Sequence, residues 1–174
     1  EENYEEAIQM MEGPAKRGYK DAVEKLAEYN YKYGLQLIQS GKYDEAKDAF
    51  LYSDTNGYPD AARCYKYCTY IAKMKNASDD TTSHMDFSLD DVDDLIELDE
   101  ECNDFIRELR AMQGTWKNEY TKLTIENDVV TIGNLVMEHW LHYIPIYHSW
   151  ELEESYISAS GSELYYEGER YTKQ

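Results

Sequence analysis

Apolar positions in the first third of the chain recur at helical spacing. From Tyr19 to about Ser40, residues Ala22, Leu26, Tyr29, Tyr33 and Leu37 fall three or four positions apart and form one stripe on a long helix. Ahead of it, Asn3 followed by Glu6 has the spacing of a capping box, which predicts a short helix ended by Gly13-Pro14. Behind it, Ser40-Gly41 predicts a stop and Tyr43 to about Ser53 a second short helix. Asn56-Gly57 then reads as a turn, and Pro59 to about Lys75 as a helix with proline in its first turn. Gly34 lies inside the long helix, where glycine costs about 1 kcal/mol against alanine. Its expected role is to admit the close approach of a neighbouring helix.

The pattern then breaks. Residues 76–87, rich in Ser, Thr and Asp, read as an acidic loop. Ser88 with Asp91 reads as the cap of a new helix over 88–112, whose apolar stripe is Leu95, Leu98, Cys102, Phe105, Leu109 and Met112. Such a helix can pair as a coiled coil or, more simply, cap the helices before it. After Gly114 the period changes to alternation. Strands are expected at Trp116–Tyr120, Lys122–Glu126, Val129–Ile132, Ile146–Leu152, Ser155–Ser158, Glu163–Glu167 and Glu169–Thr172, with turns at Asn127-Asp128, Ser160-Gly161 and Glu167-Gly168. The expected fold class is α+β: helical repeats over 1–75, the loop, the linker helix and an antiparallel β-meander over 113–174.

The helical part repeats itself. At an offset of 39 residues, Asn3–Glu24 aligns without a gap on Lys42–Arg63, with seven of 22 positions identical. The identities cluster as Tyr-x-Glu-Ala (Tyr4/Tyr43, Glu6/Glu45, Ala7/Ala46) and Gly-Tyr-x-Asp-Ala (Gly18/Gly57, Tyr19/Tyr58, Asp21/Asp60, Ala22/Ala61), and Met11/Phe50 preserves an apolar site. A period in this range marks units that stack because none buries its apolar face alone.

Ala27 through Pro59 resembles a tetratricopeptide repeat. Gly34 stands at the small site of the first helix, Tyr43 opens the second, and Ala46 and Phe50 take its small and large sites before the closing Pro59. The period of 39 exceeds the family's roughly 34 residues, an excess carried by the long helix. The resemblance, which covers about the first 75 residues, implies a peptide groove with Glu28, Tyr31, Leu35 and Gln39 facing it. The paired motifs are similar to divergent repeats of bacterial envelope and zinc-ribbon-bearing proteins. This implies an envelope or extracytoplasmic setting reached through a preceding segment, with the cytoplasm as the alternative. The opening Glu1-Glu2-Asn3 reads as that of an excised fragment. In the β segment, Gly114-Thr115-Trp116 resembles the Gly-x-Trp start of lipocalin-like barrels, although some 60 residues are expected to suffice only for a half barrel.

Charge sharpens the picture. Of 36 acidic and 17 basic side chains, residues 76–104 hold 12 acids and no Lys or Arg. The isoelectric point near 4.4 disfavours nucleic acid, because phosphate binding requires clustered cations. No apolar run reaches the roughly 18 residues of a membrane span. A calcium loop is excluded, since no glycine lies between Gly57 and Gly114. Cys64, Cys68 and Cys102 imply no disulfide framework, and the four-residue spacing of the first two places them on one buried helix stripe. His139, His142 and His148 beside Glu138 raise a metal reading, but ordinary sheet positions account for them and no zinc spacing is present. No nucleophile elbow or phosphate loop occurs.

The 18 tyrosines, against three Phe and three Trp, suit recognition surfaces or shallow cores. Together these features predict a non-enzymatic protein- or peptide-binding module without cofactor, metal or catalytic residues, its partner protein or peptide of basic character. The alternative is a small apolar ligand held in the sheet by Trp116, Trp140, Tyr143 and Trp150.

Overall fold

The repeated Gly-Tyr pairs are helix stops. Helix α1 (Tyr4–Lys16) and helix α3 (Tyr43–Thr55) begin at equivalent tyrosines and have 13 residues each, so the 39-residue offset holds in three dimensions. Gly18 and Gly57 follow them with φ of +81° and +72°, a backbone region that a side chain disfavours. The Gly18 N–H then donates to Ala15 and the Tyr19 N–H to Pro14. Gly57 donates to Asp54 and Tyr58 to Ser53 in the same pattern, which is a Schellman closure in both units. Helix α2 (Lys20–Gln39) ends likewise through Gly41 and Lys42. The Asn3 side chain accepts from the Glu6 N–H, the first bond of the expected capping box, while the Glu6 carboxylate accepts from the Asn3 side-chain amide. Two boundaries differ from the sequence expectation. Gly13-Pro14 does not end α1, because a proline near the last turn forfeits only one intrahelical bond and the Schellman closure makes the stop. Pro59 stands before helix α4 (Ala61–Asn76), with Asp60 at φ +64° making the turn.

The computed structural model describes residues 3–76, 85–99, 103–133, 138–144, 149–152 and 155–174, with the side chains at 76, 103, 138, 142–144, 149 and 151 outside the description. The chain divides into two compact units, one of residues 1–72 with 90–102 and one of 73–89 with 103–174. No described helix is long and apolar enough to cross a membrane.

In the first unit the α2–α3 pair is closed by a ring on a glycine. A Cβ on Gly34 would lie 2.6 Å from Cζ of Phe50, so only glycine lets the ring sit there. Ala46 and Phe50 are fully buried, and Ser53 donates to the Ala27 carbonyl of α2 at 2.8 Å. The expected single helix over 88–112 is instead two. Asp90–Val92 forms a 3-10 turn, α5 runs Asp93–Leu98, and α6 runs Asn103–Met112 in the other unit. Asp99 breaks the run by leaving helical geometry at ψ 89°. Its buried carboxylate accepts the Tyr43 hydroxyl at 2.5 Å and the Tyr67 hydroxyl at 2.8 Å. The apolar stripe is thus shared between two cores, which a continuous heptad-like pattern does not reveal.

The second unit is an antiparallel meander: β1 (Gly114–Lys117), β2 (Lys122–Glu126), β3 (Val129–Ile132), β4 (Glu138–Ile144), β5 (Ser149–Leu152), β6 (Ser155–Ser160), β7 (Glu163–Tyr166) and β8 (Glu169–Lys173). The α+β class and the meander follow the sequence pattern. The half barrel does not: β8 returns to β1 at Trp116↔Lys173 and Lys117↔Thr172, so the sheet closes along a seam two residue pairs long. Closure fits in so few residues because strands are short and several turns hold two residues, as at Asn127-Asp128 and Glu167-Gly168. The strand missing from the expectation is β4. Its run Glu-His-Trp-Leu-His-Tyr-Ile puts bulky groups at consecutive positions and hides the alternation. Leu123, Val130, Leu152 and Leu164 fill the interior at 0% exposure, and Ile106, Leu109 and Met112 of α6 are equally buried. The Gln113 amide beyond α6 exchanges two hydrogen bonds with the Asn127 backbone. Asn127 and Asp128 side chains in turn accept the N–H groups of Leu89 and Met85.

The two helical glycines separate steric need from propensity. Gly34→Ala is expected to destabilise by about 1–3 kcal/mol through the clash with Phe50. Gly13→Ala, with open space around it, is expected to stabilise by up to about 1 kcal/mol. Thermal unfolding of both variants checks this; shifts of the same sign would refute the Gly34–Phe50 account.

Candidate functional site

The four positions of the expected groove have different surroundings. Glu28 is half-buried on α2, with Lys25 at 2.6 Å and Lys32 at 2.9 Å. Hydrogen bonds from these two ammonium groups hold its carboxyl below the usual range. Tyr31 is turned into the helix packing: its ring meets Phe50 edge-on at 5.6 Å and lies 4.7 Å from the Tyr58 ring. Leu35 is half-buried, and Gln39 is exposed at the end of α2. Tyr31 therefore packs against Tyr58 of the α3–α4 turn, and the four do not form one row of exposed contacts.

An open cleft of about 640 Å³ runs along α2 beside the α3–α4 turn. Asp21, Glu24, Lys25 and Glu28 line one side, Asn56, Gly57, Tyr58 and Pro59 the other, and Ala27 contributes to its lining. The cleft exists because the Schellman closure at Gly57 turns the chain sharply, which presents Tyr58 and Pro59 opposite the second and third turns of α2. Asp21 and Tyr58 belong to the repeated motif, so the signal was present in the sequence. The groove positions inferred from the family resemblance drew attention further along the helix.

Behind Tyr58 lies a part-buried polar contact. The Cys64 thiol points to the Tyr31 hydroxyl at 3.9 Å. Burial pushes the Cys64 thiol up to about 11 and the Cys68 thiol and Tyr31 phenol higher still. Burial thus favours the protonated form of all three groups at neutral pH, which makes the two thiols poor nucleophiles. Cys102 lies outside the described residues. Among the described residues, no group of three or more His, Cys, Asp or Glu side chains is placed to hold a metal ion.

The acidic segment is partly tied down. Arg63, on the first turn of α4, donates to both carboxylate oxygens of Asp94 at 2.6 and 2.9 Å and to the Asp91 carbonyl at 2.9 Å. The hydrogen bond from Arg63 leads in holding the Asp94 carboxyl below its ordinary value. Neither this fork nor the clasp of Tyr43 and Tyr67 on Asp99 has a local sequence signal, because the partners stand about 30 to 56 residues apart.

Of the aromatic set expected in the sheet, three side chains are described. Trp116 and Trp150 are at most 1% exposed, and their indole N–H groups donate to the Met112 and Phe105 carbonyls at 2.7 and 3.1 Å. Both rings act as anchors of the core beneath α6. Trp140 is half-buried and alternates with the inward Leu141, which places it on the other face of β4. Tyr143 pairs in register with Trp150, and its side chain lies outside the description. His139 stands opposite Val130 and His142 opposite Glu151 in the ladder, whereas His148 is outside the described residues. A second open cleft, about 550 Å³ along the β1–β8 seam, is lined by polar residues including Asn118, Glu119, Glu169 and Arg170, with Tyr120.

No protein-family model, curated protein or solved structure matches this chain.

Two measurements follow from these geometries. Cys64 and Cys68 are expected to react with a thiol reagent at neutral pH at least about tenfold more slowly than a free cysteine, and to become reactive on unfolding. Site-resolved labelling at ordinary rates would overturn their placement. The Arg63–Asp94 fork makes stability depend on acid. The folded carboxyl titrates below its unfolded value near about 4, so the fork contributes at neutral pH and its contribution fades as the pH falls through that lower folded value. The Tm advantage of the parent over Arg63→Gln should therefore be present at about pH 6 and vanish in acid; a pH-independent difference would refute the coupling.

Proposed function

We propose that the chain is a non-enzymatic interaction module, built on tetratricopeptide-like helical repeats, that holds a basic peptide segment in the cleft between α2 and the α3–α4 turn. The observation that carries this reading is the composition of that cleft. Asp21, Glu24 and Glu28 line one side with Lys25, opposite Tyr58 and Pro59. Glu28 is paired with Lys25 and Lys32, and Glu24 lies 3.5 Å from Lys20 at an exposed edge, so the charge offered to a partner is chiefly that of Asp21 and Glu24. A Lys or Arg side chain meets charge on one wall and an aromatic face on the other, and Arg gains from both. The Gly34–Phe50 packing holds the helix against which the partner lies, which lowers the ordering cost of binding. Net charge adds attraction at longer range. With 36 acidic against 17 basic side chains, the chain draws a basic partner at low salt.

The lipocalin-like alternative, a small apolar ligand within the sheet, is less well supported, because Trp116 and Trp150 already spend both rings and both N–H groups on the core.

Selection of a random-sequence peptide display library on the intact chain tests the proposal. Enriched peptides are expected to carry Lys or Arg beside an aromatic or aliphatic residue. Asp21→Asn with Glu24→Gln, both exposed positions, should weaken them by about tenfold and flatten the salt dependence of association. Enriched peptides without basic residues, no enrichment at all, or affinities untouched by the double substitution would reject it.

A further inference from the structure

The seam that closes the barrel covers only part of β8. Ladder pairing with β1 ends at Lys117↔Thr172, so Glu169, Arg170 and Tyr171 have no strand beside them on that side. Which backbone groups this leaves open follows from alternation along the strand. The Lys173 N–H donates to the Ser162 carbonyl at the start of β7, whereas the Gln174 N–H donates to the Thr115 carbonyl of β1. Counting back by twos, the N–H and C=O of Tyr171 face β7 and those of Arg170 face the open side. Strand β1 does not reach them because it is turned away at Asn118. The Asn118 side-chain carbonyl accepts the N–H groups of Tyr120 and Thr121 at 2.9 and 2.8 Å, and its own N–H donates to the Thr121 carbonyl at 3.1 Å, which locks the turn into β2. The cleft of about 550 Å³ lies between this turn and the open length of β8, on the line that a longer β1 would follow.

We infer that this cleft is a strand-addition site for an extended peptide segment that carries an acidic side chain opposite Arg170. The peptide residue at that position exchanges two hydrogen bonds with the Arg170 backbone, N–H to C=O in both directions, as in a closely bonded antiparallel pair. Its side chain stands on the outer face of the sheet, because Lys117, Arg170 and Thr172 are exposed while Trp116 and Tyr171, one position off, are buried. Lys117 and Arg170 flank the position, and the Arg170 guanidinium reaches Glu163 at 3.0 Å through one of its nitrogens. Of the two acids in the lining, Glu169 alternates to the other face and Glu119 belongs to the turn. A carboxylate is therefore the complementary group. A second copy of the chain is disfavoured as the occupant. Its residue with the same open groups is again Arg170, and antiparallel pairing would set two guanidinium groups directly opposite each other. Tyr120, 84% exposed in the cleft lining, offers the segment a ring to pack on.

The probe is a short capped peptide of alternating Thr and Val with one central Glu, added to the intact chain, and the readout is amide hydrogen exchange resolved by residue. At saturation, exchange of the Arg170 N–H is expected to slow by at least about tenfold. Methylating the backbone nitrogen of the central Glu should weaken binding by at least about tenfold, while methylating a neighbouring Val nitrogen, which points away from β8, should change it by less than about twofold. Replacing the central Glu by Lys should weaken binding by about fivefold. In the protein, Arg170→Pro removes the N–H that meets the peptide and takes no bond from the β7 ladder, so it should abolish binding. The peptide variants test the pairing even where that substitution fails to fold. Unchanged exchange at Arg170, an affinity indifferent to which nitrogen is methylated, or equal binding of the Lys peptide would overturn the inference. Slowing at Arg170 that grows with protein concentration in the absence of peptide would also overturn it, because the occupant would then be a second copy. No residue of the seam lines the acidic cleft, so this binding and that of basic peptides are read separately.

Discussion

The ring of Phe50 rests on the backbone of α2 at the one position that has no side chain, and the helical unit is arranged around that contact. Gly34 weakens the helix it sits in, by about 1 kcal/mol against alanine. What it gains is an approach that no other residue permits, since a Cβ there would overlap three ring atoms of Phe50 within 3 Å. Once the ring is seated, Tyr31 meets its edge, Tyr58 meets Tyr31, and the Cys64 thiol finds the Tyr31 hydroxyl. The wall of the acidic cleft is the outer end of that series. Packing and candidate function are therefore linked through one steric condition.

Tyrosine is used in two ways that its composition alone does not separate. Tyr43 and Tyr67 are buried, and their hydroxyls supply the partners that let Asp99 lose its water. An ionised carboxylate without such donors would be costly in that position. Tyr58, by contrast, packs one face on Tyr31 and remains beside an open cleft. The amphipathic ring serves both roles, and only the neighbours decide which.

Charge follows a similar division. The acidic stretch stands out in the sequence as a single block, but its members differ in the fold. Asp94 is gripped by Arg63, Asp99 is enclosed, and Asp90 and Asp91 remain exposed. Long-range attraction to the basic partner proposed above would therefore draw on the exposed acids, together with those of α2, and not on the whole block.

Elements whose cause is local were determined by the sequence alone. The 39-residue repeat, the capping at Asn3, the turn at Asn56-Gly57 and the change from helical to alternating period at Gly114 each rest on a few adjacent side chains and the backbone they constrain, whereas the stop at Gly18 was hidden behind Gly13-Pro14 and the ring that Gly34 admits comes from another helix. Three features were decided by tertiary structure. The division of the 88–112 stripe at Asp99 depends on hydroxyls 32 and 56 residues away. Closure of the barrel depends on β8 meeting β1 and on β4, whose crowded aromatic run has no readable period. Of the positions marked for ligands, Trp116 and Trp150 went to the core, Tyr31 to half-buried packing on Phe50 and Tyr58, and Trp140 to the outer face of its strand, while Glu28 joined Asp21, Glu24 and Tyr58 at a cleft. The reason is common to all of them. Periodicity states which side chains share a face of one element, and only the pairing of elements states whether that face meets solvent, a partner or another part of the same chain.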